Sequence, residues 1–428
     1  MRLLFEGATQ APITEGRDMR KHHAMHPVIL FVIFCFFAAS GGAFAKAEPA
    51  KARKMHRHGR PASAAGVVTE KVAAAPCEAY VVTEGWTGKV LEEQNMHEKR
   101  APASMVKLML SCIVLEKIAK GEIHLTDKAP VSREAAGMGG SQVYLAEGEV
   151  FTLEDMMRAV MIASANDAAY AVAEFVSGST KDFVDLMNEK AKSLGMNDTE
   201  FNSVHGLPPG KDRRKEDLTS CYDMALLARE ALKYPKLIEW TSTKTGEFRN
   251  GAFIMNNHNK LLSRMPEVDG LKTGFYRSTG YNVTATAKKG DLRFIAVVMG
   301  SPTAKARDGL AVEKLKKCFA DYTVLNAAKK GEVVDKEIAL PDGRYRKIKG
   351  VAAADVNIPC LRAKKKEIMR VVSVPDAVSG EVKQGQKLGE MLFRLDNEVV
   401  GKVDVVSPVY VPKTNLFTRL VRKAGLNI

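Results

Sequence analysis

The stretch that most constrains this chain is Leu108–Leu115, Leu-Met-Leu-Ser-Cys-Ile-Val-Leu, in which Ser111 is the one polar residue. A helix that is apolar on every side has no face to give to water, so it belongs in the middle of a domain with other elements packed around it. Gly121 supplies its stop. The residues that lead into this helix are Ala103-Ser104-Met105-Val106-Lys107. At i and i+3, Ser104 and Lys107 lie on one side a turn apart, which brings an amine within reach of a hydroxyl. A serine hydroxyl is a poor nucleophile until a base takes its proton, and lysine serves as that base only if its pKa falls from about 10.4 towards about 7 to 8. Burial causes such a fall. The spacing therefore predicts a nucleophile beside its base at the mouth of a buried helix, although S-x-x-K alone is a weak signal.

A chain of 428 residues exceeds one typical domain, and 46% apolar residues suffice for a sizeable core, so two domains plus tails are expected. The balance of 64 basic against 50 acidic residues gives a net charge of +14, which suits an anionic membrane surface or a polyanionic substrate. Much of the excess lies in tails: residues 46–60 hold six basic residues against one acidic. With no aromatic-interleaved basic patch and two tryptophans, nucleic acid is not an expected partner. The six cysteines (Cys35, Cys77, Cys112, Cys221, Cys318 and Cys360) show no C-x-x-C or metal-type spacing, so they read as structural, and neither a metal nor a cofactor is expected.

Taken in order, the chain opens with a 12-residue apolar run, Val28–Ala39, preceded by Arg20 and Lys21 and followed by Ala43-Phe44-Ala45. This predicts a signal peptide over 1–45, cut after Ala45, and hence an exported protein. Residues 46–75 read as a disordered basic linker. The catalytic domain is expected over 76–330. It begins with a strand pair across Glu84-Gly85 and proceeds through the buried helix. A capping box at Thr152-Leu153-Glu154-Asp155 then opens a helix that ends in Ser164-Ala165-Asn166. Helical patterns recur at Asp167–Val176, Lys181–Leu194 and Tyr222–Leu232, the last stopped by Pro235. β-rich runs follow at Glu247–Met255, Gly270–Phe275 and the hairpin Tyr281–Ala287 with Leu292–Met299, then a helix from Thr303 to about Ala328. The order suggests an α/β (α+β) sheet covered by helices, with an inserted helical lobe. A small all-β domain is expected over 331–411. Residues 412–428 read as a basic amphipathic helix, with Leu416, Phe417, Leu420, Val421 and Ala424 on one face, that associates with a membrane surface.

Three elements stand in order along the chain: Ser104-Met105-Val106-Lys107, Ser164-Ala165-Asn166 and Lys272-Thr273-Gly274. This S-x-x-K, S-x-N, K-T-G set is a known signature, so the association is a likeness and not a derivation. The chain resembles the low-molecular-mass penicillin-binding proteins, the serine D-alanyl-D-alanine carboxypeptidases, over about residues 78–428. Further likeness lies in Arg100–Ser104, Leu194-Gly195-Met196, His205-Gly206-Leu207 and Val268–Gly274. The resemblance implies a serine β-lactamase/DD-peptidase-like fold and peptidoglycan stem peptides and β-lactam antibiotics as partners. It also implies an oxyanion hole from the backbone N–H groups of Ser104 and Phe275, with help from Arg307 in holding the substrate carboxylate. The chemistry of the residues adds the rest: Ser104 as nucleophile, Lys107 as base and Ser164 as proton relay to the leaving amine. Asn166 holds both Lys107 and a substrate amide, and Lys272 and Thr273 receive the terminal carboxylate.

A second triplet, Lys244-Thr245-Gly246, lies in a polar run and is expected to be a decoy. His205 sits in a Gly-Pro loop and reads as structural, since the set already has its base. Two other activities share the motifs. A D,D-endopeptidase differs only in the amide accepted, while a β-lactamase needs a deacylating glutamate, for which Glu200 and Glu216 are nearest but lack an E-x-x-L-N context. An inactive envelope-binding module is the alternative of another class.

Overall fold

The computed structural model describes residues 76–210 and 215–423. The expected signal peptide and basic linker lie outside the described residues. The run Lys107–Ala119 is α1, and every side chain from Lys107 to Leu115 is buried. Gly121 follows it at φ +73°, as a helix stop requires. The sheet behind α1 has five antiparallel strands: β1 Ala79–Glu84, β2 Val90–Gln94, β3 Val268–Tyr276, β4 Gly280–Lys289 and β5 Leu292–Ser301. Their order is β2-β1-β5-β4-β3. The strand pair at the start and the hairpin through Gly290-Asp291 thus form as expected.

Alternation along β5 explains why it is buried on both sides. Ile295, Val297 and Met299 join the cluster that holds α1, whereas Phe294, Ala296 and Val298 join a second cluster with Leu310, Ala311 and Leu315. Those last three belong to α7, Ala304–Asp321, whose N-cap Thr303 accepts from Ala306 N. The first cluster is closed by α2 Leu153–Arg158, α3 Asn166–Ser177, α4 Thr180–Ser193, α5 Cys221–Ala231 and α6 Pro235–Ser242. Helices therefore cover both faces of the sheet, and the helical lobe is built on the face that carries α1.

The structure refines two local patterns and overturns a third. The helix Cys221–Ala231 ends ahead of Pro235 as expected, and Pro235 then opens α6, where its missing N–H has no intrahelical acceptor to lose. The β-rich run Glu247–Met255 is a hairpin in which Thr245–Phe248 and Phe253–Asn256 pair around Arg249-Asn250-Gly251, all at positive φ. The helix expected to reach Ala328 ends at Asp321, because Tyr322–Ala328 (β6) instead pairs antiparallel with Val356–Leu361 (β9). Pairing between segments far apart in sequence has overridden the local helical pattern.

The C-terminal part is all-β apart from one short 3-10 turn and α8, with its own core around Ile338, Ile358, Met391, Phe393 and Val405. Besides β6 and β9 it contains a five-stranded sheet of β7 Val333–Ala339, β8 Lys347–Ala352, β10 Met369–Ser373, β11 Lys387–Leu395 and β12 Glu398–Val406. The last helix, α8, spans Leu416–Lys423. Its Leu416, Phe417 and Leu420 are exposed, while Ala424, expected on the same face, lies outside the described residues.

Candidate active site

Four pieces of backbone converge on Ser104. The first is its own turn, Ala103–Val106, a 3-10 turn that feeds α1. Ala103 has φ +50°, an unusual conformation for alanine that is held from two sides. A Cβ on Gly206 would fall 2.1 Å from Ala103 O, and one on Gly274 would fall 2.2 Å from Pro102 O. Both positions require glycine because the backbones of the 203–207 loop and of β3 press directly on the nucleophile's turn. Thr279 and Asn282 fasten the same turn through Ala101 O, at 2.6 and 3.0 Å.

Lys107 is wholly buried, and its ammonium nitrogen is held at 3.1 Å from Ser104 Oγ, 2.7 Å from Asn166 Oδ1 and 2.8 Å from His205 O. Burial, and after it the nearby charge of Lys272, push its pKa well below the usual lysine value, while Asp167 and Asp217 pull the other way. The amine expected from the sequence therefore lies within hydrogen-bond reach of the hydroxyl, with its proton affinity lowered. His205 acts as expected of a structural residue, since its ring accepts from Leu207 N at 3.0 Å. Its carbonyl as a holder of Lys107 was invisible to sequence reasoning, because a backbone acceptor has no residue signature.

The second motif arrives by an unforeseen route. Beyond Arg158 the chain winds as a π-helix over Ala159–Ala163 and ends on Ser164 in the left-handed region, φ +59° and ψ +30°. The capping box survives in altered form: Thr152 Oγ1 accepts from Asp155 N and donates to the Asp155 carboxylate. The wider turn and the left-handed residue turn Ser164 towards β3, where it accepts from Lys272 Nζ at 2.9 Å. Asn166 opens α3 one residue earlier than the periodicity indicated. Its Nδ2 donates to Gly139 O, so its Oδ1 is the atom turned to Lys107.

Lys272 and Thr273 lie buried on β3, the edge of the sheet, with Gly274 beside the nucleophile's turn. Burial first and the Arg307 guanidinium second lower the Lys272 pKa to about 7. Phe275 is half exposed and stacked on Tyr281 at 4.1 Å between centroids. Arg307, on α7, is buried. It pairs with Asp308 at 2.7 Å and donates to Asn282 O at 3.3 Å, so it reaches Lys272 through its charge. His258 was not singled out from the sequence. Partial withdrawal from water, then Lys272, Lys260 and Lys107, depress its pKa to about 4 and keep it neutral. Of the glutamates weighed for deacylation, Glu200 pairs with Lys215 and Glu216 accepts from Tyr276. The decoy triplet lies on the outer hairpin, where Gly246 backs onto Ile162 and Met255. Among the described residues no cluster of His, Cys, Asp and Glu is arranged to hold a metal ion.

The arrangement is that of an acyl-transfer centre: a serine beside a buried lysine of lowered proton affinity, a second serine on a second lysine, and an edge strand along the cleft. Comparisons with known proteins agree with this chemistry. The sequence profile of D-alanyl-D-alanine carboxypeptidase matches residues 66–303, and that of the penicillin-binding protein 5 C-terminal domain matches 322–413. The D-alanyl-D-alanine carboxypeptidase DacF of Bacillus subtilis is 36% identical over 81% of this chain and 88% of its own. The crystal structure of penicillin-binding protein 5 from Haemophilus influenzae superposes with a TM-score of 0.65 at 27% identity, over 79% of this chain and 98% of that one. Penicillin-binding protein D2 from Listeria monocytogenes, solved with ampicillin bound, is 31% identical with a TM-score of 0.51, over 56% of this chain and 96% of that one. With its serine, its buried lysine and its K-T-G edge strand in one cleft, the chain belongs to the D-alanyl-D-alanine carboxypeptidase family of penicillin-binding proteins.

Proposed function

We propose that this enzyme removes the terminal D-alanine from peptidoglycan stem pentapeptides through an acyl-enzyme on Ser104, and that penicillin acylates the same hydroxyl. The observation that carries this reading is the buried Lys107 amine, 3.1 Å from Ser104 Oγ. Neutral Lys107 takes the hydroxyl proton as Oγ attacks the penultimate carbonyl. The oxyanion is received by the N–H groups of Ser104 and Phe275, which Gly274 brings together by its contact with Pro102. As the C–N bond breaks, Ser164 gives its proton to the departing D-alanine nitrogen and takes the one held by Lys107, which returns Lys107 to its neutral form. Lys272 and Thr273 hold the leaving carboxylate, and Lys107 then activates the water that releases the shortened peptide. Ser104→Ala tests this: D-alanine release and covalent labelling by penicillin should both vanish at unchanged Tm, and label retained on the variant would refute the assignment.

The exported location is part of the same reading, supported by the apolar run Val28–Ala39 with its flanking charges and small residues. On this reading α8 holds the enzyme to the outer face of the cytoplasmic membrane. Leu416, Phe417 and Leu420 are 66%, 73% and 57% exposed, so the β domain does not cover that face. Full burial of such side chains is worth about 1.5–3 kcal/mol each, an upper limit at an interface, and each nearby cation adds about 1 kcal/mol on anionic lipid. Deleting residues 414–428 should release active enzyme from anionic vesicles that bind the full chain. Equal binding by both forms would remove the anchor.

A further inference from the structure

The wall of the cleft beyond Asn166 carries an aromatic side chain that the mechanism above does not use. Residues 139–145 run along this wall: Asn166 Nδ2 donates to Gly139 O and Asn166 N to Ser141 O, both at 2.7 Å. Within it Tyr144 is 70% exposed, although its neighbours Val143 and Leu145 are 1% and 4% exposed. Its φ is +58°, a region that residues other than glycine, asparagine and aspartate seldom occupy. Anchors on both sides impose that backbone. Val143 N and Leu145 N both donate to the buried carboxylate of Asp167, at 3.1 Å, next to the catalytic Asn166. Tyr144 O accepts from Arg249 Nη2 at 2.6 Å, and Arg249 is itself pinned by Glu149 and lies against the rings of Phe151 and Phe248. The ring of Tyr144 stands edge-on to Phe253, 5.9 Å between centroids.

A large ring held in water by buried anchors, in a backbone conformation that only those anchors justify, contributes little to the core. Conformations of this kind cluster where a ligand is clamped. We propose that Tyr144, braced by Phe253, is a binding platform for the acyl side of the substrate, its ring packing on an aliphatic C–H surface. The inference rests on the carboxypeptidase reading, in which Lys272 and Thr273 take the leaving end and the opposite wall faces the part that stays on the enzyme. Tyr144 is five positions along the chain from Gly139, at most about 3.3–3.6 Å for each, so the platform lies within reach of an extended substrate that passes Asn166. Two parts of a peptidoglycan substrate offer such a surface there: the aliphatic side chain of an upstream stem residue, and a pyranose ring of the attached glycan.

The test compares kcat/KM for D-alanine release from three substrates: acetyl-D-alanyl-D-alanine, the free stem pentapeptide and the disaccharide pentapeptide. Active sites are counted by penicillin titration, so misfolded protein does not enter the rates. In Tyr144→Ala the preference for the longer over the shortest substrate should fall about tenfold, chiefly through KM, while Tyr144→Phe should retain it. A loss already present with the free pentapeptide identifies the stem side chain, and a loss confined to the disaccharide substrate identifies the sugar. A wild-type enzyme with no preference for longer substrates, or a Tyr144→Ala variant whose ratios stay within twofold of wild type, overturns the platform. Failure of the wild type to release D-alanine from any of the three would instead overturn the carboxypeptidase reading.

Discussion

Two Lys-Thr-Gly triplets occur in this chain with the same three letters and opposite surroundings. Lys272-Thr273-Gly274 is on the edge of the central sheet, its lysine buried against Ser164 and its glycine against the backbone of Pro102. Lys244-Thr245-Gly246 is on a two-stranded outer hairpin, and its glycine backs onto the flexible ends of Ile162, Met255 and Arg158. A lysine becomes a recognition element when protein atoms replace its water, because only then does its charge act at low dielectric on a ligand carboxylate. The difference between the triplets is therefore one of burial and backbone approach, and neither is written in the letters.

The sharpest way to break this comparison is to remove each lysine. Lys272→Ala should lower kcat/KM for peptide about 10²-fold or more, within the 2–5 kcal/mol typical of deleting one partner of a buried charge pair. Lys244→Ala should stay within twofold of wild type. Reversed effects, read from steady-state D-alanine release, would assign the cleft to the wrong strand.

The glycines give the next largest contrast. A Cβ at Gly274 meets backbone oxygen at 2.2 Å, so Gly274→Ala must shift β3 or the nucleophile's turn, and at least a tenfold loss of penicillin acylation rate is expected. At Gly246 the nearest atom is a side-chain methyl at 3.0 Å that can move aside. Gly246→Ala should cost about 1 kcal/mol or less in denaturant unfolding and leave acylation unchanged.

A subtler test uses pH. The ammonium form of Lys272 attracts the substrate carboxylate, and with a pKa of about 7 that form is lost as pH rises through neutrality. Lys107 has the opposite requirement: it works as the neutral amine, whose fraction grows with pH above its lowered pKa. The profile of kcat/KM should thus be bell-shaped, with Lys272 on the alkaline limb. Lys272→Arg, which stays charged, should move that limb upward by more than one pH unit. An unmoved limb would assign it to another group. Lys244, exposed on its hairpin, should leave the profile where it is when replaced.

Much of the molecule was legible in the sequence because burial leaves a pattern. The run Leu108–Leu115 announced a central helix, and the S-x-x-K spacing put Ser104 and Lys107 on one side of its entry. Alternation and turn residues gave the hairpin of β4 and β5. What failed to read were features decided by distant partners. Tyr322–Ala328 carries a helical pattern but has Val356–Leu361 to pair with. Arg307 was expected to help hold the substrate carboxylate, and its pairing with Asp308 and Asn282 O could not be read from its place in the chain.

By itself, then, the sequence determined which groups were available for chemistry and that one helix would be buried, since residue type and apolar periodicity are properties of a short stretch. Only the tertiary structure decided that Lys107 is stripped of water and its proton affinity lowered. Its low proton affinity comes from burial and then from the charge of Lys272, while Ser104, Asn166 and the carbonyl of His205, residues as much as 98 positions away, hold its nitrogen in place. The tertiary structure also decided which K-T-G reaches the cleft, that a π-helical turn aims Ser164 at Lys272, and that Tyr144 stands in water. Desolvation, backbone approach and left-handed backbone each depend on what other parts of the chain press against a residue. A linear pattern does not record that.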